Sequence, residues 1–320
     1  MTPTPLPIKA EPFSDESLMG FVLRLSEMNH MENIQWLSYI FHVQRIHHLT
    51  LHHLPTIAWV FGSHAINSPE YCISSGRDGG QVFFNAYGHI IKRSFLLRMR
   101  RPQVCAACLQ ENNYLRKSWD FSMASGCSFH RLRLIDRCEK CSRNLSWNRP
   151  GVSLCTCGHD IRRSRQSNTS EEAAALSGWI YQRLSQPMVW QASSTDYEPV
   201  LSLLDHLTLD SVLRIVWATG VKKVPDERIE VGTGSRVLSI HNAEDCVGRS
   251  LSRLKGVVLN QDISEIRSLF SENILRSLID ETHHVADQVL ISQLLLQGKR
   301  RENPKASLLN LNPLSQIRLF

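Results

Sequence analysis

Seven of the nine cysteines in this 320-residue chain lie between Cys105 and Cys157, and they come in pairs. Cys105-x2-Cys108 is followed by Cys127-x2-His130, then by Cys138-x2-Cys141, then by Cys155-x-Cys157. Zn2+ takes four thiolate or imidazole ligands tetrahedrally, and a two-residue gap lets one tight turn present two of them to one ion. Two pairs close one site. Taken in order, Cys105, Cys108, Cys127 and His130 are expected to hold one structural Zn2+, and Cys138, Cys141, Cys155 and Cys157 a second. The last pair has one intervening residue instead of two, and His159 follows two residues on, so the fourth ligand is either Cys157 or His159. Closed sets of four leave no position for a reacting water, which makes both ions structural in this reading.

The same segment concentrates positive charge. From residue 91 to residue 165 sixteen Lys and Arg stand against five Asp and Glu, a net +11, which leaves −5 for the rest of a chain at +6. Thiolate ligation of two Zn2+ lowers this to about +8. Such a patch attracts phosphate, and Arg116, Lys117, Arg131, Arg133, Arg162 and Arg163 are the expected contacts to nucleic acid or a partner. The competing reading is that the arginines only solvate a small metal-stapled fold. Tyr114, Trp119 and Trp147 have faces that could stack on bases, but a small metal-built fold needs its few aromatics as core.

These residues must be positioned by helices on either side, so the expected fold is mainly α. Three units are expected: residues 1–100, a helix-turn-helix-like N-terminal domain; 101–165, a tandem zinc-finger, zinc-ribbon-like module; and 166–320, a helical C-terminal domain. After the proline-rich start, Ser14 is the expected N-cap of a helix with Asp15 and Glu16 at its positive end and Leu18, Phe21, Val22, Leu25 and Met28 on its apolar face. Asn33 is expected to cap a shorter helix carrying Ile34, Leu37, Ile40 and Phe41. His42, His47, His48, His52 and His53 follow no ligand spacing. Residues 71 to 87 read as a loop leading to a short strand at 81–84. Ser170 should cap a helix that Pro187 stops, and further helices are expected at 200–204, 210–217 with Gly220 as C-cap, 243–254, 263–279 and 285–296. No internal repeat of fixed period is present.

With 42% hydrophobic and 21% charged residues the chain is globular. No apolar run has a membrane span's length, and residues 1–13 lack a signal peptide's basic start and apolar middle, so a soluble cytoplasmic protein with reduced thiols is expected. There is no GxxxxGK[ST] phosphate loop, nucleophile elbow or HExxH, so no enzymatic activity is expected.

Pro12-Phe13-Ser14-Asp15-Glu16-Ser17-Leu18 opening an amphipathic helix, Cys105-Ala106-Ala107-Cys108-Leu109, Trp119, Cys127-Ser128-Phe129-His130, Leu134 and Cys138-Glu139-Lys140-Cys141 together resemble the TniQ family, over residues 12 to about 160. The resemblance implies an N-terminal helix-turn-helix domain, zinc fingers and a helical C-terminal region in a protein that selects transposition targets without cutting DNA. At this length the chain is similar to the short TniQ proteins of CRISPR-associated Tn7-like transposons. That implies a homodimer that sits on a guide-RNA Cascade complex and recruits an AAA+ regulator of the transposase to target DNA. The alternative is a TnsD-type selector that reads a fixed DNA site by sequence. The single-residue gap of Cys155-x-Cys157 departs from the family's usual pair.

Overall fold

The computed structural model describes residues 3–43, 51–185, 196–228, 237–259 and 267–296. His47, His48, Pro187, residues 263–266 of the expected 263–279 helix and the C-terminal tail lie outside them. The fold is mostly helical, and no helix among the described residues is long and apolar enough to cross a membrane.

Helix α1 (Leu18–Met28) buries Leu18, Phe21, Val22 and Leu25 of the face its periodicity predicts, while Met28 at its last position is exposed. Its cap is Ser17 instead of Ser14, with Ser17 Oγ accepting from the Gly20 N–H at 3.1 Å. The two preceding acids are drawn inward. Glu16 is fully buried and accepts from Arg24 Nε at 2.8 Å, while Asp15 pairs with Arg116 and accepts from the Tyr114 hydroxyl at 2.8 Å. Gly20 makes the close approach possible, because a Cβ there would stand 2.7 Å from Leu115 Cβ. Helix α2 (Trp36–Ile40) starts later than expected, since Asn33 Oδ1 turns to the Gln35 N–H at 2.8 Å. Helix α3 (Leu54–Phe61) ends at Gly62 in the left-handed region.

The stretch expected as a loop forms β1 (Ile73–Asp78), the strand expected at 81–84 is present as β2 (Gln81–Ala86), and with β3 (His89–Ile91) they make an antiparallel meander. Two two-residue turns make it, Gly79-Gly80 and Tyr87-Gly88, and all four residues have positive φ. Such turns match the right-handed twist of a strand pair, so Asp78-Gly79-Gly80-Gln81 is a hairpin signal where a loop was read. Gly76 is opposite Phe83, whose ring lies where a Cβ would sit.

Helix α4 (Ala106–Glu111) opens the cysteine-rich segment. After it come α5 (Glu171–Leu184), α6 (Glu198–Leu204), α7 (Leu209–Gly220), α8 (Ile240–Val258), α9 (Glu272–Glu281) and α10 (Val285–Leu296). Ser170 caps α5 as expected, its Oγ accepting from the Ala173 N–H. Every residue of α7 is buried, as in a helix surrounded by others. It lies against α8 so closely that a Cβ on Gly220 would stand 2.0 Å from the Cys246 carbonyl oxygen.

The apolar residues form two cores. One joins α1, α2 and α3 to the cysteine-rich segment through Leu109, Trp119, Leu134, Leu145, Trp147 and Val152. The other joins the sheet, Leu96, Leu97 and Phe121 to α5 through α10. Tyr114, Trp119 and Trp147 are 7%, 4% and 4% exposed, so they are interior side chains and not stacking platforms.

Candidate metal centres

The eight expected ligands meet in two sets of four. In each set the ligand atoms all lie within 4.8 Å of one another. In the first, Cys105 sits at the N-cap of α4 and Cys108 one turn into it, while Cys127 and His130 come from one tight turn. Cys108 Sγ is 3.5 Å from Cys127 Sγ, and His130 Nδ1 is 3.2, 3.6 and 3.8 Å from the sulfurs of Cys108, Cys127 and Cys105. In the second, Cys138 and Cys157 sulfurs are 3.6 Å apart and Cys141 and Cys155 sulfurs 3.8 Å. A tetrahedron with Zn–S arms of about 2.3 Å has edges of about 3.8 Å, so both sets have the size a zinc ion requires. A disulfide needs about 2.05 Å, and all nine cysteines are free.

One local backbone device builds three of the four pairs. In Cys127–Leu132 the Cys127 N–H donates to the Leu132 carbonyl, the Arg131 N–H donates to the Cys127 carbonyl, and Arg131 has φ +53°. In Cys138–Arg143 the Cys138 N–H donates to the Arg143 carbonyl, the Ser142 N–H to the Cys138 carbonyl, and Ser142 has φ +56°. The same knuckle, with the left-handed residue directly after the second ligand, recurs at Cys155–His159 shortened by one residue. There the Cys155 N–H donates to the His159 carbonyl and Gly158 has φ +80°. The single-residue gap is thus a contracted knuckle that presents the Cys157 thiol beside that of Cys155. His159 occupies the returning strand, its Nε2 3.1 Å from Ser164 Oγ. The geometry therefore closes the second set with Cys157.

Two further residues complete the first set, and neither was expected from the sequence. Glu111 Oε1 is 3.0 Å from His130 Nε2, the ring nitrogen facing away from the sulfurs. A carboxylate there fixes the tautomer that leaves Nδ1 for a metal. Its signal was an acid three residues after Cys108 on the same helix. Gln166 clasps the site, its Oε1 accepting from the Ala106 N–H at 2.8 Å and its Nε2 donating to the Arg133 carbonyl at 2.6 Å. No sequence spacing announces that contact. Hydrogen bonding among the sulfurs holds the Cys105 thiol well below the usual thiol range and pushes Cys108 up. Burial pushes Cys138 up to about 12, while hydrogen bonds from the Arg143 backbone and side chain lower Cys141 to about 6. Each set thus has one thiol ready to ionise, while Cys108 and Cys138 would lose their protons to a bound cation.

The six expected contact residues separate. Arg116 and Lys117 are 8% and 7% exposed. Arg116 is bound to Asp15 and lies 4.3 Å from the Phe129 ring centroid. Lys117 Nζ donates to the Ser14 carbonyl and faces Tyr71 at 4.2 Å, and burial lowers its pKa. Arg133 pairs with Glu244 of α8, which also accepts from Thr169 and the Ser170 N–H. Arg162 pairs with Asp160 at 2.8 Å. Arg131 and Arg163 are exposed.

Residues 7–134 match the family model TniQ. That span holds α1 to α4, the sheet and the whole first set of ligands, and ends before the second set. No curated protein matches the chain.

Proposed function

From a chain whose residues 7–134 belong to the TniQ family, and hence to transposition-related target selection, we propose an adaptor that binds a guide-RNA Cascade complex and recruits an AAA+ regulator of the transposase to target DNA. The observation that carries it is the family match over a segment that includes a complete set of metal ligands. In this reading both sets hold structural Zn2+. Specificity for the insertion site comes from guide pairing, so the chain itself needs shape and charge complementarity and no reacting group. In this reading the chain consists of an N-terminal helix-turn-helix-like domain, a zinc module and C-terminal helices, and acts as a homodimer in the cytoplasm. The shared core of α1–α3 with the cysteine-rich segment and the Glu244–Arg133 pair to α8 support a rigid connection between partner-binding ends.

Affinity purification of the tagged protein from cells expressing its neighbouring genes, with mass spectrometry and RNA sequencing, tests this. Cascade subunits with a guide RNA are the expected recovery. Recovery without them, together with one enriched DNA site after crosslinking, would instead establish a TnsD-type selector that reads DNA by sequence.

A further inference from the structure

The cations of the 91–165 segment divide into those the fold consumes and those it leaves outside. Arg98, Arg116, Lys117 and Arg149 are buried. Lys92 and Arg93 are bound to Glu281, Arg133 to Glu244 and Arg162 to Asp160. Arg143 lies beside the Cys141 sulfur, where it offsets thiolate charge. By contrast Arg137, Lys140, Arg163 and Arg165 are exposed, as are Arg100, Arg101 and Arg131; the side chains of the first four form no salt bridge among the described residues, although the charge of Arg163 reaches Asp160.

One hydrogen bond brings together the two segments that carry these four. Arg137 and Lys140 bracket Cys138 in the second knuckle. The carboxylate of Glu139 accepts the Arg165 N–H at 3.0 Å, which holds the 163–165 segment against that knuckle. Neighbouring like charges destabilise a fold unless a partner brings the opposite charge. Three of the four are guanidinium groups, whose fork matches a phosphate. The aromatics that could stack on unpaired bases, Tyr114 and Trp147, are interior.

We propose that the rim of the second metal knuckle, Arg137, Lys140, Arg163 and Arg165, is a sequence-independent site for the phosphate backbone of a nucleic-acid duplex. It deepens the target-selection reading and rests on it for a biological role, since a selector must be held against nucleic acid. The expected site therefore moves from Arg116, Lys117 and Arg133, which the fold uses internally, to the far end of the module.

The test is fluorescence anisotropy of the full chain on mixed-sequence duplex DNA and duplex RNA against salt. Each phosphate contact on a duplex contributes about 0.9 to the log–log slope, so four contacts weaken binding roughly 100-fold between about 50 and 200 mM salt. The variant Arg137→Gln, Lys140→Gln, Arg163→Gln, Arg165→Gln should keep its metal content and melting temperature and lose most of that dependence. A variant with Lys at positions 137, 163 and 165 should retain it. Response with DNA alone, RNA alone or both supports the site and names its source. Unchanged affinity and slope in the Gln variant, or a native chain without salt-dependent binding to either duplex, overturns it. Co-purification of transposition partners is read separately, so a failed duplex site leaves the adaptor reading standing.

Discussion

Asp120 is fully buried, and its carboxylate accepts from the Tyr87 hydroxyl. Burial raises its pKa from 3.8 to about 7, against the lowering effect of that hydrogen bond. A folded pKa above the unfolded one means the folded state holds the proton more tightly. The group then costs nothing below about pH 4, and stability falls by about 1.4 kcal/mol per pH unit until about pH 7, where the loss levels off. The total is on the order of 4 kcal/mol at pH 8, of which between 1 and 2 kcal/mol is already lost at about pH 5. Asp120→Asn keeps an acceptor for Tyr87 and cannot ionise. Its stability relative to the native chain should therefore improve by about 3 kcal/mol between about pH 5 and 8, whatever constant offset the amide itself adds. Urea denaturation of both proteins across that range, with metal content held constant, measures this difference of differences. Parallel pH profiles would refute a buried carboxyl kept protonated by its surroundings, and so would a variant that loses ground as pH rises.

Cys157→Ser should remove one of two bound zinc ions while His159→Ala keeps both, as read by metal analysis of the purified proteins. Cys105→Ser should likewise remove the zinc of the first set and unfold the part of the module built on it, because structural zinc supplies on the order of 10 kcal/mol of folding free energy. Glu111→Gln should weaken the first site about 10- to 100-fold in a chelator competition without changing its stoichiometry. Gly220→Ala should lower the unfolding free energy by about 1–3 kcal/mol or more, since the new methyl meets the backbone oxygen of Cys246 and not a flexible side-chain end; an unchanged denaturation curve would mean that α7 and α8 separate freely.

The two sets of residues that could hold a metal were legible in the sequence because each knuckle is a local object. Five or six residues close their own hydrogen bonds and present two ligands, so spacing alone specifies the pair and proximity of pairs specifies the set. The apolar face of α1 and the capping of α5 were readable for the same reason. The miss at β1 was also local: Gly79-Gly80 was read as loop, although two residues able to take positive φ are what a tight hairpin needs. The choice between Cys157 and His159 was local as well, but it needed the left-handed backbone at Gly158.

What only the tertiary structure decided is the use of the charges. Arg116 finds Asp15 across 101 positions, Arg133 finds Glu244 across 111 and Arg93 finds Glu281 across 188. Composition counts all sixteen cations of the segment alike, and no periodicity distinguishes a guanidinium that meets a distant carboxylate from one left at the surface. An ion pair between elements forms where packing of two apolar faces happens to bring its partners within reach and desolvates them together. The ligand sets follow from neighbouring residues, whereas the identity of the free, outward-facing cations follows from which helices share a core.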